Sequence, residues 1–310
     1  MIDVSILIVC YKSRDLIAQC LDGVYAHTNG CTFEVLLLDC SGDGAIELVR
    51  TRFPQVRIIE NHENLGFGKG NNVLAQHATG KFVLLLNPDV IVENNAIGEL
   101  YQAAVSFPDA GAVGGRTRLP NGQRDPGCRQ TIPSLFRMAV AAFGGAKYLN
   151  GTLPEIASKA DEVETLSGAF MLVRRDAWEQ LDGFDTSFFM YSEELDLCYR
   201  LRQQGWKIVM TPRAEVIHLV GSGQGQSPRR IKLLTTARMH FVRKFWGPVS
   251  VFMAGALLWL HAAVRVLIAG AGWLVIGRQR ASNLWNANYP IVSRPWEWWY
   301  GFHVSNEYAK

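Results

Sequence analysis

The chain has 310 residues, 48% of them apolar and 19% charged, a balance that supports a buried core and excludes an intrinsically disordered chain. Its six cysteines, Cys10, Cys20, Cys31, Cys40, Cys128 and Cys198, form no CxxC pair, which argues against a zinc knuckle or a disulfide framework and for reduced thiols in a cytosolic compartment. The net charge of +3 is uneven, because residues 229–310 hold 11 Lys/Arg against 2 Asp/Glu, a net of +9, whereas residues 1–228 carry a net of −6.

The N-terminus, MIDVSILIVCYK, has neither a basic leader nor a small-residue cleavage site and reads as a first strand. Residues 13–26 follow with helical spacing at Leu16, Ile17, Cys20, Leu21 and Val24, and Ser13 is the expected N-cap. Apolar strands are expected at 33–38, 56–59 and 82–86, separated by helices at 45–50 and 67–78. Near-continuous Val/Ile/Leu strands alternating with helices predict a doubly wound, mostly parallel α/β sheet covered on both faces. The middle, 111–167, is less regular, and its Asn121-Gly122 turn suggests a hairpin or lid. A strand at 166–173 and helices at 176–181 and 193–205 follow. The composition shift, with seven of nine tryptophans in the basic tail, divides the chain into 1–228 and 229–310, with 221–228 as linker.

The segment 81–90, KFVLLLNPDV, is the most informative. Pro88 cannot donate to a ladder and ends the strand, which leaves Asp89 at its carboxyl end, where open α/β sheets bind ligands. A carboxylate there is either a turn residue or a ligand for a hard divalent cation that brings phosphates with it. Asp39 closes the second strand in the same way, as a helix cap or as an acceptor for ribose hydroxyls or a nucleobase N–H. The run from Asn64 to Asn72, NLGFGKGNN, is a glycine-rich turn opening a helix. Its GxGxG spacing after the third strand fails as a dinucleotide fingerprint but suits a nucleotide-contacting loop. Glu193, Glu194 and Asp196 crowd a helix start behind Phe188, Phe189 and Tyr191. Acids are comfortable at that position, and apolar neighbours raise a carboxyl pKa toward that of a general base. Asp196 or Arg200 could instead hold that helix in place. His218 ends an apolar stretch, where a lone histidine is more often structural than a ligand.

Taken in order, VSILIVCYKSRDLIAQCL, LLLDCSGDG, ENLGFGKGNN, LLLNPDV, LSGAFMLVRRDAWEQLDGFDTSFFMYSEELDLCYR and VIHLVGSG resemble the family 2 glycosyltransferases. These are inverting enzymes of the GT-A fold, and the likeness is to the rhamnosyltransferase-like branch that builds bacterial surface polysaccharides. The resemblance spans about residues 1–225 and implies a donor site of Tyr11, Asp39, Gly66, Lys69, Asn87 and Asp89. It also implies a Mg or Mn ion held by Asp89 with His218 beside it. The base would be Glu194, with Glu193 as the other candidate, because the family's usual Glu-Asp pair reads Glu193-Glu194 here. Arg129 and Asp196 would touch the acceptor. A second departure, Asp39-Cys40-Ser41-Gly42-Asp43-Gly44, lies beside the nucleotide and leaves base preference open.

In the tail, residues 229–244 are basic and amphipathic, and 248–277 are strongly apolar apart from His261 and Arg265. About 20 apolar residues can span a bilayer, but Arg265 near the middle and recurring glycines favour helices lying in the interface, with Trp285, Trp296, Trp298 and Trp299 at the headgroups. The expected enzyme is thus a peripheral or monotopic glycosyltransferase at the inner face of the plasma membrane. It would move a sugar, with dTDP-rhamnose favoured, to a lipid-linked or polysaccharide acceptor. Basic residues interleaved with aliphatics and tryptophans argue against nucleic acid. A nucleotidyltransferase would carry a glycine-rich loop after the first strand, where this chain has Cys10-Tyr11-Lys12-Ser13. A catalytically silent sugar-nucleotide-binding scaffold would keep Asp39 and Asp89 without needing Glu194.

Overall fold

The computed structural model describes residues 1–61, 63–125, 127–128, 131–145, 159–219, 227–272 and 277–302. Among these, nine strands form one mixed sheet. Its first half comes from β1 (Val4–Cys10), β2 (Phe33–Asp39), β3 (Arg57–Ile58) and β4 (Phe82–Leu86), in the order β3-β2-β1-β4 and all parallel. The helices between them are α1 (Arg14–His27), α2 (Ala45–Arg52) and α3 (Gly66–His77). Ser13 does occupy the N-cap of α1, although its side chain makes no capping bond.

The second half is mixed. After β5 (Val90–Ile91), α4 (Ala96–Ser106) and β6 (Ala110–Arg118), the chain forms α5 (Leu135–Ala142) and β7 (Asp161–Glu162). Then come β8 (Phe170–Arg174), α6 (Arg175–Gln180), α7 (Glu193–Gln203) and β9 (Lys207–His218). β8 lies antiparallel between β4 and β6, β9 runs parallel to β6, and β5 and β7 pair antiparallel with β9, so β6 and β9 run in the same direction as β1–β4 and β5, β7 and β8 against it. The expected hairpin forms, with Gly122 at φ +80° and a bridge between Arg118 and Arg124.

Strand alternation builds the two cores. Ile6, Ile8, Leu37 and Leu84 face α1, α2 and α4 through Ile17, Leu21, Val49 and Leu100. Leu7, Leu36, Leu38 and Leu85 face α3, α6 and α7 through Leu74, Trp178, Leu197 and Leu201. The C-terminal helices α8 (Pro228–Phe245), α9 (Pro248–Ala271) and α10 (Arg278–Ser293) complete the chain. Leu233, Ala237 and Phe241 of α8 pack on Phe188 and Leu195, directly behind the start of α7. On its other side, Met239 and Val242 pack on Ala254, Leu258 and Ala262 of α9.

Candidate active site

The crevice lies where the parallel half of the sheet switches direction about β1, the usual place for a ligand in an open α/β sheet. Cys10 pairs with Asp39 on one side of β1, and Leu7 pairs with Leu85 on the other. Asp39 and the turn Asn87-Pro88-Asp89 therefore reach the same edge. Tyr11 lies between them, exposed. Lys12 adopts a left-handed backbone, φ +52°, and donates its N–H to the Ser41 hydroxyl at 2.8 Å.

Asp39 is buried at the end of β2, with one carboxylate oxygen accepting the Ser41 N–H and hydroxyl at 3.0 and 2.8 Å and the other accepting the Gly42 N–H at 2.8 Å. The departure Cys40-Ser41-Gly42 thus closes a turn onto the carboxylate itself. Asn61 donates to the Asp39 carbonyl at 3.2 Å, which ties the glycine-rich loop to this strand end. Gly66 has φ +71°, and a Cβ on it would stand 2.7 Å from the Phe189 carbonyl oxygen. Only glycine permits both, so Gly66 fixes the loop before α7 against α3. Lys69 is exposed and points into a cleft of about 780 Å³ shared with α6 and residues 181–186.

Asp89 is buried and lies 3.4 Å from Nε2 of His218, which ends β9 opposite Val90. Nδ1 of His218 lies 3.0 Å from Asp125. Asp125 in turn accepts the Thr117 hydroxyl at 3.1 Å and the Gly127 N–H at 2.8 Å. Burial alone would favour a neutral imidazole, but the Asp125 and Asp89 carboxylates outweigh it and push the His218 pKa up to about 9. Asp125 is buried too, yet the His218 hydrogen bond and the Gly127 N–H draw its pKa below the ordinary value. Sequence reasoning missed Asp125. Its signal was the Asn121-Gly122 turn, which returns the chain beside Thr117, but its nearness to His218 needs the β6–β9 pairing as well. Among the described residues no group of three or more His, Cys, Asp or Glu is placed to hold a metal by itself. Asp89 and His218 offer two donors, and Asp125 orients the ring from behind in the manner usual for ligating histidines.

The two glutamates separate by environment. Tyr191 and Ser192 are both left-handed, φ +68° and +64°, and turn the chain sharply into α7. Glu193 points inward between Gly68 and Phe184, is buried, and has one carboxylate oxygen without a hydrogen-bond partner. Burial, and then the neighbouring Glu194 charge, raise its pKa well above the ordinary value. Glu194 is only partly buried and backs onto Gly168, where a Cβ would meet it at 3.6 Å. Next to Gly168, the Ala169 carbonyl accepts the Asn87 N–H at 3.0 Å. Glu194 is thereby set beside the Asn87-Pro88-Asp89 turn.

Asp196, expected at the acceptor, is placed otherwise. It is fully buried, one oxygen 2.6 Å from Arg200 and the other 2.6 Å from Lys244 of α8. Fully buried and ion-paired on both oxygens, Asp196 holds α7 to α8 and presents no surface to an acceptor. Arg129 lies outside the described residues. Arg118 pairs with Glu93 and Glu215.

Comparison with known proteins agrees with this fold. Residues 3–238 match the glycosyltransferase-like family 2 model. The chain is 36% identical over 213 residues to the N-acetylglucosaminyl-diphospho-decaprenol L-rhamnosyltransferase of Mycobacterium tuberculosis, covering 63% of this chain and 69% of that protein. It is 25% identical over 224 residues to the rhamnosyltransferase WbbL of Escherichia coli, covering 69% of this chain and 83% of that one. The fold also matches the mannosyltransferase PcManGT of Pyrobaculum calidifontis, solved with GDP-Man and Mn2+, at a TM-score of 0.59 and 18% identity, covering 97% and 85% of the two chains. The chain belongs to glycosyltransferase family 2 and is a glycosyltransferase of the GT-A fold.

Proposed function

We propose that this enzyme transfers a sugar, in the first instance L-rhamnose, from a nucleotide-diphosphate donor to a hydroxyl of a lipid-linked glycan, inverting the anomeric centre. The observation that carries the reading is the convergence of Asp39, Asp89, His218 and Glu194 on one crevice edge, with Glu194 the more open of two adjacent carboxylates of contrasting burial. The rhamnosyltransferase relatives, one of them named for a decaprenol-linked acceptor, support the sugar and the acceptor class. The acceptor class also suits the inner face of the membrane as the place of work.

The donor lies along the strand ends. Asp39 retains lone pairs beyond its three intramolecular bonds for a ribose hydroxyl or a base N–H, and Tyr11 flanks it. One carboxylate and one imidazole, with the remaining positions left to diphosphate oxygens and water, fit a Mg or Mn ion. When bound, such an ion supplies charge stabilisation to the departing diphosphate, and Asp89 and His218 are the residues that would hold it. Asp125 keeps the His218 ring oriented. Glu194 accepts the proton of the acceptor hydroxyl as that oxygen attacks the face opposite the leaving group. Burial disfavours the charged form of Glu193, Glu194 is the more open carboxylate of the pair, and the strained Tyr191-Ser192 turn fixes its direction.

Glu194→Gln should lower turnover by about 10²–10⁴-fold while calorimetric binding of the nucleotide sugar survives. Asp89→Ala should abolish the Mn²⁺-dependent part of that binding. Turnover retained in Glu194→Gln would remove the base assignment, and a folded protein that binds no nucleotide diphosphate would remove the donor reading.

A further inference from the structure

α9 is long and apolar enough to cross a bilayer, with a mean hydropathy of 2.0, but one side of it is packed against the protein. Ala254, Gly255, Leu258, Ala262 and Ala269 are buried against the protein. Gly255 admits the Trp299 ring so closely that a Cβ would lie 2.5 Å from it. Its two titratable side chains turn the same way, with His261 3.0 Å from the Ala141 carbonyl of α5 and Arg265 3.1 Å from the His261 carbonyl. The opposite stripe is apolar and bare, with Val249, Phe252 and Leu267 exposed at 73%, 66% and 70%. A helix apolar all round with one long face open calls for an apolar neighbour. Beside that face, Ala256, Trp259, Trp296, Trp299 and Tyr300 line an open groove of about 460 Å³. Trp259 is pinned there by its indole N–H on the Val292 carbonyl at 3.1 Å. Basic groups rim it: Arg243 sits 5.4 Å above the Tyr300 ring, and the Arg294 side chain is 63% exposed.

We infer that the outer face of α9, continued by Trp296 and Tyr300, beds lengthwise into an anionic bilayer leaflet, so that α9 lies along the membrane and does not cross it. This locates the membrane contact of the lipid-acceptor reading above and rests on that reading. Charge selects the occupant. Residues 229–310 carry a net of +9, so a second copy of the same face would be repelled, whereas anionic headgroups would be drawn to it. Aromatic rings with polar edges belong at that depth. Crossing the bilayer instead would strip α9 from α5, α8 and α10 and carry His261 and Arg265 into hydrocarbon.

The test is vesicle flotation of the full chain, which reads no turnover and so can fail while the transferase reading stands. Vesicles with about one-third phosphatidylglycerol should bind on the order of tenfold more strongly than pure phosphatidylcholine, and salt should weaken the difference. Phe252→Asp with Leu267→Asp should lose binding with little change in the melting curve, because both side chains are exposed. Fluorophores on Met253→Cys and Ile268→Cys, in a Cys31→Ser background, then read orientation. These sites lie about 22 Å apart along the helix axis and should be quenched by depth-specific brominated lipids at the same depth. Depths differing by that distance would mean a span and overturn the inference. So would absence of vesicle binding, a dimer broken by the double substitution, or unaltered binding of that variant.

Discussion

Lys244→Met tests how α7, which carries the proposed base, is held. Lys244 Nζ lies 2.6 Å from Asp185 and 2.6 Å from Asp196, and Asp196 is fully buried. The other Asp196 oxygen is met by Arg200, whose remaining nitrogens hold the Leu181 and Gly183 carbonyls at 3.0 and 2.8 Å. Replacing the ammonium with an apolar group of similar length leaves one cation for two carboxylates. Breaking a buried pair from one side costs about 3–5 kcal/mol, and since the Lys244 side chain keeps 27% of its exposure, water recovers part of that, so about 3 kcal/mol is expected. Asp185 adds a pH signature. Burial opposes its ionisation, but the Lys244 hydrogen bond and those of Ser187 prevail and bring its pKa down to about 2 from 3.8. A folded-state pKa below the unfolded one gives stability that is present above pH 4 and lost as pH falls toward 2. The gap between wild type and variant, read by urea unfolding followed by circular dichroism, should therefore be about 3 kcal/mol at pH 7 and narrow below pH 4. Adding Asp196→Asn should restore part of the loss at pH 7. Equal stabilities at pH 7, or a gap that stays constant down to pH 3, would refute the reasoning.

Glu193→Gln should keep turnover within about tenfold of wild type, since the amide is near-isosteric with the carboxyl it replaces. Because a raised folded pKa costs stability once the pH exceeds 4.5, the variant should gain stability relative to wild type as pH rises, measured by denaturation at pH 5 and 8. Gly66→Ala forces a side chain into φ +71° and against the Phe189 carbonyl. A loss of about 1–2 kcal/mol and, if the α7 loop shifts by about 1 Å, on the order of 100-fold in kcat should follow, with initial rates and thermal melts as the readouts. Asp125→Asn leaves the catalytic crevice intact but loosens the His218 ring, so Mn²⁺-dependent donor binding should weaken about 10–100-fold, while metal-independent nucleotide binding, followed calorimetrically, should hold.

The parallel half of the sheet was legible because each strand was a short unbroken apolar run closed by a turn. Residues 82–86 were read as a strand and form β4 to the residue. In the other half β8, α6 and α7 were read close to their places, but β6 and β9 were not. β6 reads AGAVGGRTR and β9 reads KIVMTPRAEVIH, the first rich in glycine and the second interrupted by Pro212. Both rules would demote them, yet they pair with each other through two register shifts, and the irregularity is what proline and glycine need. α4 was passed over as well, although Ile97 and Leu100 pack into the core. In the site, the strand-end acids could be read from punctuation alone. The contrast between Glu193 and Glu194 could not, because it depends on which side of α7 faces Gly68 and which faces Gly168. Asp196 was read two ways, at the acceptor or holding its helix, for a related reason. Its acidity was visible, whereas Lys244, 48 residues away, enters only when α8 folds back.

Strain marks the same edge. Of the four non-glycine residues with positive φ among those described, Lys12 stands at the end of β1, while Tyr191 and Ser192 open α7. Such conformations cost about 1–3 kcal/mol each and persist only where the surroundings over-determine them. The surroundings here are specific. Lys12 N–H is held by Ser41, whose hydroxyl also bonds Asp39. The Tyr191-Ser192 turn is gripped on one side by the Gly66–Phe189 contact and on the other by α8, where His240 bonds the Ser187 hydroxyl at 2.9 Å and stacks edge-on with Phe188. A glycine at position 192 would relieve the strain, but it would also free the hinge on which Glu194 is aimed. Since α8 grips that hinge and packs on α9 with its opposite face, the position of the proposed base is tied mechanically to the helix layer that bears the apolar surface.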